Sequence, residues 1–197
     1  MLQNKTYEAI FSRIPVYIEC LNGIKEEYIS ATTIANALNL GEVQVRKDLA
    51  KISYGGKPKI GYEVKLLLDD LKKYMGYNIL TKAVIVGMGR IGEALYYYKG
   101  FRKLNLEIVS AFDINGKYKD LSEFDSICSN NEIKIGIITV PQESAQDICD
   151  LMVKTGIKAI WNFSSTSLKV PSDVIVKNEN MANSLSILIK LVNDSRK

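Results

Sequence analysis

Two periodicities divide the chain. As far as about residue 77, apolar residues recur every three to four positions, the spacing of amphipathic helices. Beyond it, short apolar runs alternate with further helical stretches. In the first region Ile10, Ile14, Tyr17, Ile18 and Leu21 predict a helix over residues 7–22, ended by Gly23. Pro15 lies inside that pattern, so the helix either starts there or is kinked there. Ser30 and the residues to Thr33 read as a cap for a short helix over 34–38. A turn over 39–41 then leads into a helix over 42–49, with Val43, Val45 and Leu49 as its apolar positions. A Gly-rich, basic segment flanked by aromatics follows over 53–62. Val64, Leu67, Leu68 and Leu71 then mark an amphipathic helix over 63–75, and 76–78 is the expected linker.

In the second region apolar runs over 82–86, 106–112, 134–140 and 159–163 predict buried strands. Helical stretches over 121–129 and 142–155 lie between them, and Asn115-Gly116 marks a turn. Strands alternating with helices imply a parallel sheet. After 174–176 the chain ends in a helix over 180–193, apolar at Met181, Leu185, Leu188, Ile189 and Val192. Such a face needs a partner. It either packs on its own domain or is domain-swapped onto a second subunit. The expected fold class is α/β: an N-terminal winged-helix domain (1–77), a Rossmann-like parallel sheet (78–178) and a C-terminal dimerisation helix (179–197).

The first apolar strand runs into Gly87-Met-Gly-Arg-Ile-Gly92, with a helix expected to open at the third glycine. That is the dinucleotide-binding pattern in its strand–turn–helix context. Gly87 permits the tight turn, Gly89 lets the backbone approach a pyrophosphate, and Gly92 lets the helix pack close to the strand. The helix start offers amide N–H groups to phosphates. Asp113, at the end of the next strand and 21 residues after Gly92, is placed to accept hydrogen bonds from a ribose. It favours NAD(H) over the 2′-phosphorylated cofactor. The candidate cofactor contacts are Gly87, Met88, Gly89, Arg90, Ile91, Gly92 and Asp113. Thr139, Val140, Pro141 and Asn162 join them beyond the strand ends. Arg90 is either a phosphate neighbour or a solvated helix-start residue. Thr139, Pro141 and Asn162 either line the pocket or only terminate strands. A strand–turn–helix unit that binds nothing is the plain alternative.

The two short helices with their tight turn form a helix-turn-helix pattern, whose second helix carries Gln44, Arg46 and Lys47. The segment after it, with Lys57 and Lys59, has the character of a wing. Between Arg46 and Lys59 there are five basic residues and one acidic residue, the densest positive stretch of the N-terminal third. Double-stranded DNA is the expected partner, and a solvated charged face is the alternative.

Composition narrows the function further. A net charge of +4 confines any nucleic-acid surface to a local patch. Three scattered cysteines (Cys20, Cys128, Cys149) suit buried thiols in a reducing compartment. No apolar run approaches the ~20 residues of a membrane span, and the first residues lack a signal peptide's apolar core. A cytoplasmic location is expected. There is no histidine, which removes a common acid/base group of hydride-transferring enzymes and a common metal ligand. An oxidoreductase would have to rely on Lys158 or Tyr98, and no separate substrate domain follows the nucleotide fold. A non-enzyme without a metal site is the expectation.

Taken together, Gln44-Val-Arg-Lys-Asp-Leu49 with a Gly/Lys wing ending at Tyr62 resembles the recognition helix and wing of the Rex redox-sensing transcriptional repressors. The loop 87–92, Tyr98-Lys-Gly-Phe101, Phe112-Asp113, Thr139-Val-Pro141, Asn162-Phe163 and Val170-Pro171 extend the likeness from about Ser12 to the last helix. The resemblance implies a homodimer on a pseudo-palindromic operator, which NAD⁺ leaves bound and NADH releases. It implies Arg46 and Lys47 in or beside the major groove, and Lys57 and Lys59 near the minor groove or backbone. It also implies a C-terminal helix exchanged between subunits. Many members of that family couple their subunits through a first-helix arginine, a tyrosine and an aspartate before the last helix. Here Tyr98 is kept, while Glu19 and Asn180 occupy the other positions and Met181 follows. Two further departures are Ser164-Ser165 after Asn162-Phe163 and a shortened segment after Asp113. They put a variant with altered nucleotide sensing beside the principal expectation.

Overall fold

The computed structural model describes residues 5–195 and divides the chain into two compact units, Met1–Ile79 and Leu80–Lys197. The first is built from α1 (Lys5–Asn22), β1 (Tyr28–Ile29), α2 (Ala31–Leu38), α3 (Glu42–Ile52), β2 (Tyr62–Glu63) and α4 (Val64–Tyr74). The helix α1 runs through Pro15, so it does not begin there. Proline in a helix interior costs about 3 kcal/mol. The buried stripe of Ile10, Ile14, Tyr17, Ile18 and Leu21 outweighs that at about 1.5–3 kcal/mol per large side chain. Pro15 itself is on the exposed side. The stripe packs with Ile34, Val45, Leu49, Leu67 and Leu71 into one core.

The cap of α2 starts the helix at Ala31, earlier than spacing alone suggested, because Ser30 Oγ accepts from Thr33 N at 3.0 Å. Asn39 ends it in the left-handed region at φ 51°. Val43, expected among the apolar contacts of α3, is instead 67% exposed. Gly41 caps α3 one residue ahead of Glu42, which turns Val45, Asp48 and Leu49 inward and Val43 out. Strands β1 and β2 pair antiparallel, Ile29 opposite Tyr62. Between α3 and β2 the backbone of Lys57 and Gly61 exchanges two hydrogen bonds (2.8 and 2.9 Å), closing a hairpin over Pro58, Lys59 and Ile60. Gly61 sits at φ +96°, and any Cβ there would lie 2.3 Å from Ile29 O.

The second unit contains a five-stranded sheet in the order β4-β3-β5-β6-β7, every pair parallel. Its elements are β3 (Thr81–Val86), α5 (Arg90–Tyr96), β4 (Leu106–Phe112), α6 (Phe124–Asn131), β5 (Ile135–Ile138), α7 (Gln142–Lys154), β6 (Ala159–Asn162), β7 (Ile175–Asn178) and α8 (Met181–Asp194). Alternation along β3 fills both faces. Val84 and Val86 join Phe112, Phe124 and Ile138 on one side, and Ala83 and Ile85 join Ala111 and Ile137 on the other. The chain leaves β3 for β4 on one flank and returns to β5 on the other. The carboxyl ends of β3 and β5 therefore form the reversal point where such sheets bind ligands.

Candidate nucleotide site and DNA-facing surface

The glycine loop lies at that reversal point. Gly87 leaves β3 at φ +97°, and a Cβ there would stand 2.7 Å from the Thr139 carbonyl carbon and Val140 N. The helix opens at Arg90 with Gly89 as its cap, not at Gly92 as expected. Gly92 consequently falls in the first turn, where a Cβ would come within 1.9 Å of Gly87 O. Gly89 is different: nothing lies within 4 Å of its absent Cβ. Glu93 N makes the first helical bond, to Gly89 O. The amides of Gly89, Arg90, Ile91 and Gly92 have no acceptor among the described residues. Two glycines are thus demanded by the protein's own packing, and the third faces open space beside unpaired N–H groups, which a pyrophosphate can approach.

Two side chains hold this loop. Met88 N donates to Asp113 Oδ2 at 2.5 Å, and Asn115 N donates to Asp113 Oδ1 at 3.1 Å. Each carboxylate oxygen retains a second lone pair, so Asp113 still has capacity for ribose hydroxyls. Thr139 Oγ1 donates to Gly87 O at 2.5 Å, with Val86 O at 3.0 Å. Thr139, Val140 and Pro141 follow β5, which ends at Ile138, and place the second wall beside the loop. Met88 offers only its backbone, because its side chain is buried with Ala83 and Ile85. Arg90 and Ile91 are exposed.

Asn162 does not meet expectation as a ligand contact. It is fully buried, and its amide is committed to the fold. Nδ2 donates to Thr166 O (2.9 Å) and Asn178 Oδ1 (2.8 Å), while Oδ1 accepts from Ser164 N (3.0 Å) and Ser164 Oγ (2.7 Å). It ties β6 to β7 and to the following turn. Ser164 completes that set, which gives the Ser164-Ser165 departure a structural role.

The short segment after Asp113 is pinned back to α5. Glu93 accepts from Lys117 Nζ and from Tyr118 OH, both at 2.8 Å. Those two hydrogen bonds, with the nearby lysine charge, hold the Glu93 carboxyl below its usual range. Tyr98 is exposed, with its ring 5.0 Å from that of Phe101. Phe101 in turn packs edge-on to Trp161, whose Nε1 donates to Glu179 Oε1 at 2.9 Å. Asn180, next in line, caps α8 by accepting from Asn183 N at 3.0 Å. From Met181 onward every described residue of α8 is exposed, Met181 at 63% and Leu185 and Leu188 at 60%.

In the first unit a cavity of about 350 Å³ is bordered by Ser30, Thr32, Arg46, Lys57, Lys59 and Tyr62. It brings the second helix of the helix-turn-helix and the hairpin together. Arg46 Nη2 pairs with Glu42 Oε1 at 2.5 Å and stays exposed, Lys47 is exposed, and Lys57 Nζ lies 5.9 Å from the centre of the Tyr28 ring. Lys59 stands at φ +65° at the hairpin tip. Gln44 is exposed on α3, yet its Nε2 donates to Asp48 Oδ1 at 2.8 Å. Asp48, Arg13 and Tyr17 form a cluster that helical spacing did not reveal. The only trace was an acidic residue inside a basic stretch.

A basic helix-turn-helix with a wing, followed by a parallel sheet that carries a pyrophosphate-shaped loop, defines the class of nucleotide-responsive DNA-binding regulators. Known proteins narrow it further. The family model "Putative DNA-binding protein N-terminus" matches residues 8–50, and "CoA binding domain" matches residues 78–166. The chain belongs to the Rex family of redox-sensing transcriptional repressors. It is 39% identical to a redox-sensing transcriptional repressor Rex of Treponema denticola, covering 93% of this chain and 94% of that protein. It is 37% identical to one of Carboxydothermus hydrogenoformans, covering 93% and 95%. The crystal structure of RSP in complex with β-NAD⁺ and operator DNA superposes with a TM-score of 0.91 at 30% identity, covering 98% of this chain and 95% of that one. That of RSP in complex with β-NADH gives 0.86 at 30% identity, covering 98% and 97%. Among the described residues, no helix is long and apolar enough to cross a membrane.

Proposed function

We propose that this chain is a DNA-binding repressor that senses the NADH/NAD⁺ ratio, with NADH releasing it from operator DNA. The observation that carries the reading is the open cradle at Gly89 beside Asp113, in the same chain as the basic helix α3 and its wing. The loop residues Gly87, Gly89, Arg90, Ile91 and Gly92 would hold the pyrophosphate, with Met88 acting through its backbone. Asp113 would hold the adenosine ribose. A carboxylate there disfavours a phosphorylated ribose, which argues for NAD(H) over coenzyme A. Thr139, Val140 and Pro141 would border the other half of the ligand, while Asn162 holds β6 to β7 and to the turn that follows. The cofactor supplies a nicotinamide ring that is charged when oxidised and neutral when reduced. The repressor is non-catalytic in this reading and works beside the chromosome, in the cytoplasm.

Arg46 and Lys47 would enter or flank the major groove, and Lys57 and Lys59 would reach the minor groove or backbone. Arg46 must share its charge with Glu42 to do so. The solved relative with operator DNA and NAD⁺ supports this arrangement. The functional unit would be a homodimer on a pseudo-palindromic site, with half-sites separated by whole turns of ~34–36 Å. The unpartnered α8 supports the dimer. Ile187 and Leu191 add to the stripe of Met181, Leu185, Leu188, Ile189 and Val192, so more than half of the helix circumference is apolar and exposed. A helix of that composition belongs in a groove, and exchange onto a second subunit supplies one.

Switching requires that NADH prefer one dimer shape over the other, because equal affinity shifts nothing. Arginine–aspartate coupling is not available at Glu19 and Asn180, and Arg13, the arginine of α1, is bound to Asp48. Tyr98 would therefore communicate through Phe101, Trp161 and Glu179, the contacts that lead to the root of α8. Gel shifts on a palindromic operator, titrated separately with NADH and NAD⁺, test the reading. Release by NADH at concentrations where NAD⁺ leaves the complex intact is expected. A complex indifferent to both nucleotides would reduce the protein to a DNA binder with a structural Rossmann unit.

A further inference from the structure

Gln44 lies on the exposed side of α3, yet its side chain is held. Its Nε2 donates to Asp48 Oδ1 at 2.8 Å, one helical turn along. Asp48 is 2% exposed and accepts at the same time from Arg13 Nε (2.6 Å), Arg13 Nη2 (2.9 Å) and Tyr17 OH (2.8 Å). Burial by itself would raise the Asp48 pKa. The hydrogen bonds from Arg13, Tyr17 and Gln44 outweigh it and keep the carboxyl below its ordinary range. The group is therefore an anion, and an ionised carboxylate only accepts. The end of the Gln44 amide that faces it must be the NH₂. Turning the amide over would set its carbonyl oxygen against a carboxylate oxygen inside a buried cluster.

Resting on the reading that α3 enters the major groove, we propose that Asp48 fixes Gln44 as a reader of adenine, which makes Gln44 a specificity residue and Asp48 its positioning residue. With one Nε2 hydrogen given to Asp48, the free face of the amide carries Oε1 beside the remaining N–H. Adenine presents an N6–H donor beside the N7 acceptor, which is the complement of that face. Guanine presents two acceptors, O6 and N7. Against guanine, Oε1 meets O6, acceptor to acceptor. A glutamine with a free amide can turn its NH₂ toward guanine, whereas this one loses its bond to Asp48 if it does. Arg46 and Lys47 on the same helix carry donors alone and suit guanine or phosphate. The helix thus holds readers of opposite polarity within four residues.

Selection of binding sites from a random duplex library tests this, using the full-length protein and its Gln44→Ala, Asp48→Asn and Ile34→Val variants, each also melted. The wild type is expected to prefer adenine over guanine at one position per half-site by about 5- to 100-fold. Gln44→Ala loses that preference there and nowhere else. Asp48→Asn, whose amide can donate to Oε1, admits guanine at the same position. Ile34→Val trims the shared core and removes no hydrogen bond of the cluster, so it lowers the melting temperature and leaves the selected motif unchanged. Should Asp48→Asn fail to fold, Gln44→Ala decides alone, since its side chain is at the surface. A Gln44→Ala motif identical to the wild type's overturns the inference and leaves DNA binding standing. A wild type that selects no motif overturns the DNA-binding reading, and this inference falls with it.

Discussion

Asp113 Oδ2 accepts the Met88 amide N–H at 2.5 Å, so the end of β4 holds the glycine loop that follows β3. The residue expected to bind ribose is also what sets the shape of the pyrophosphate cradle. Asp113→Ala is expected to weaken NADH and NAD⁺ binding together by about 10- to 100-fold, since hydrogen bonds to a charged group are worth about 1.5–3 kcal/mol. Titration followed by NADH fluorescence and by calorimetry measures it. Loss confined to one oxidation state would be inconsistent with a role at the ribose.

The glycines of the loop separate by substitution. Gly92→Ala drives a Cβ to within 1.9 Å of Gly87 O and is expected to destabilise the second unit by about 1–3 kcal/mol. Gly89→Ala meets open space, so its melting temperature stays near wild type while nucleotide affinity falls. Thermal melts with and without NADH distinguish the two. If Gly89→Ala retains full affinity, the open space at Gly89 is not the phosphate site.

Buried Asp48 and Tyr17 give the first unit a two-sided pH response. Asp48 has its pKa lowered on folding, so its contribution is present above about 3.9 and is lost as acid protonates it in the native state. Tyr17 is pushed up to about 12, chiefly by burial and then by the bond to Asp48. Above about 10 the unfolded chain releases the phenolic proton while the folded chain keeps it, so stability falls from about pH 10 until about 12. Urea melts across pH 8–12 are expected to fall less steeply for Tyr17→Phe than for wild type. Parallel slopes would contradict the assignment.

Redox sensing through thiols is disfavoured. Burial pushes Cys128 and Cys149 up to about 11 and also raises Cys20, so little thiolate is present at neutral pH. Native protein is expected to react with iodoacetamide far more slowly than the urea-unfolded chain. Mild peroxide should leave operator binding unchanged. Rapid modification of Cys128 or Cys149 in the native state, read by mass spectrometry, would sink this view.

Removing residues 181–197 tests the role of α8. The shortened protein is expected to be monomeric by light scattering and to lose most operator affinity, while the nucleotide loop still binds NADH. A truncated protein that remains dimeric would assign the interface elsewhere.

Much of this molecule was legible in the sequence, where local rules decide. The helical stripe of Ile10 to Leu21, the strand before Gly87 and the spacing to Asp113 follow from periodicity and turn geometry. What escaped depends on contacts between distant residues. Asp48 looked like one charge in a basic run, because its partners Arg13 and Tyr17 lie on another helix. Asn162 reads from the sequence as either a pocket residue or a strand terminator, because the bonds to Asn178 and Thr166 that decide between them exist only once β6 and β7 pair. The start of α5 at Arg90 escaped because glycine spacing says which residues pack closely, not where the first helical bond closes.

The bare helix α8 has a consequence for cell physiology. Fourteen residues exposed on every side are too few to keep a helix ordered in water, so its order comes from what it docks against. When that dock is another copy of the chain, ordering follows mass action, and dilution melts the helix as effectively as heat. The amount of repressor in a cell would then tune its response alongside the nucleotide pool, and scarce protein would lose its grip on the operator before the redox state had changed.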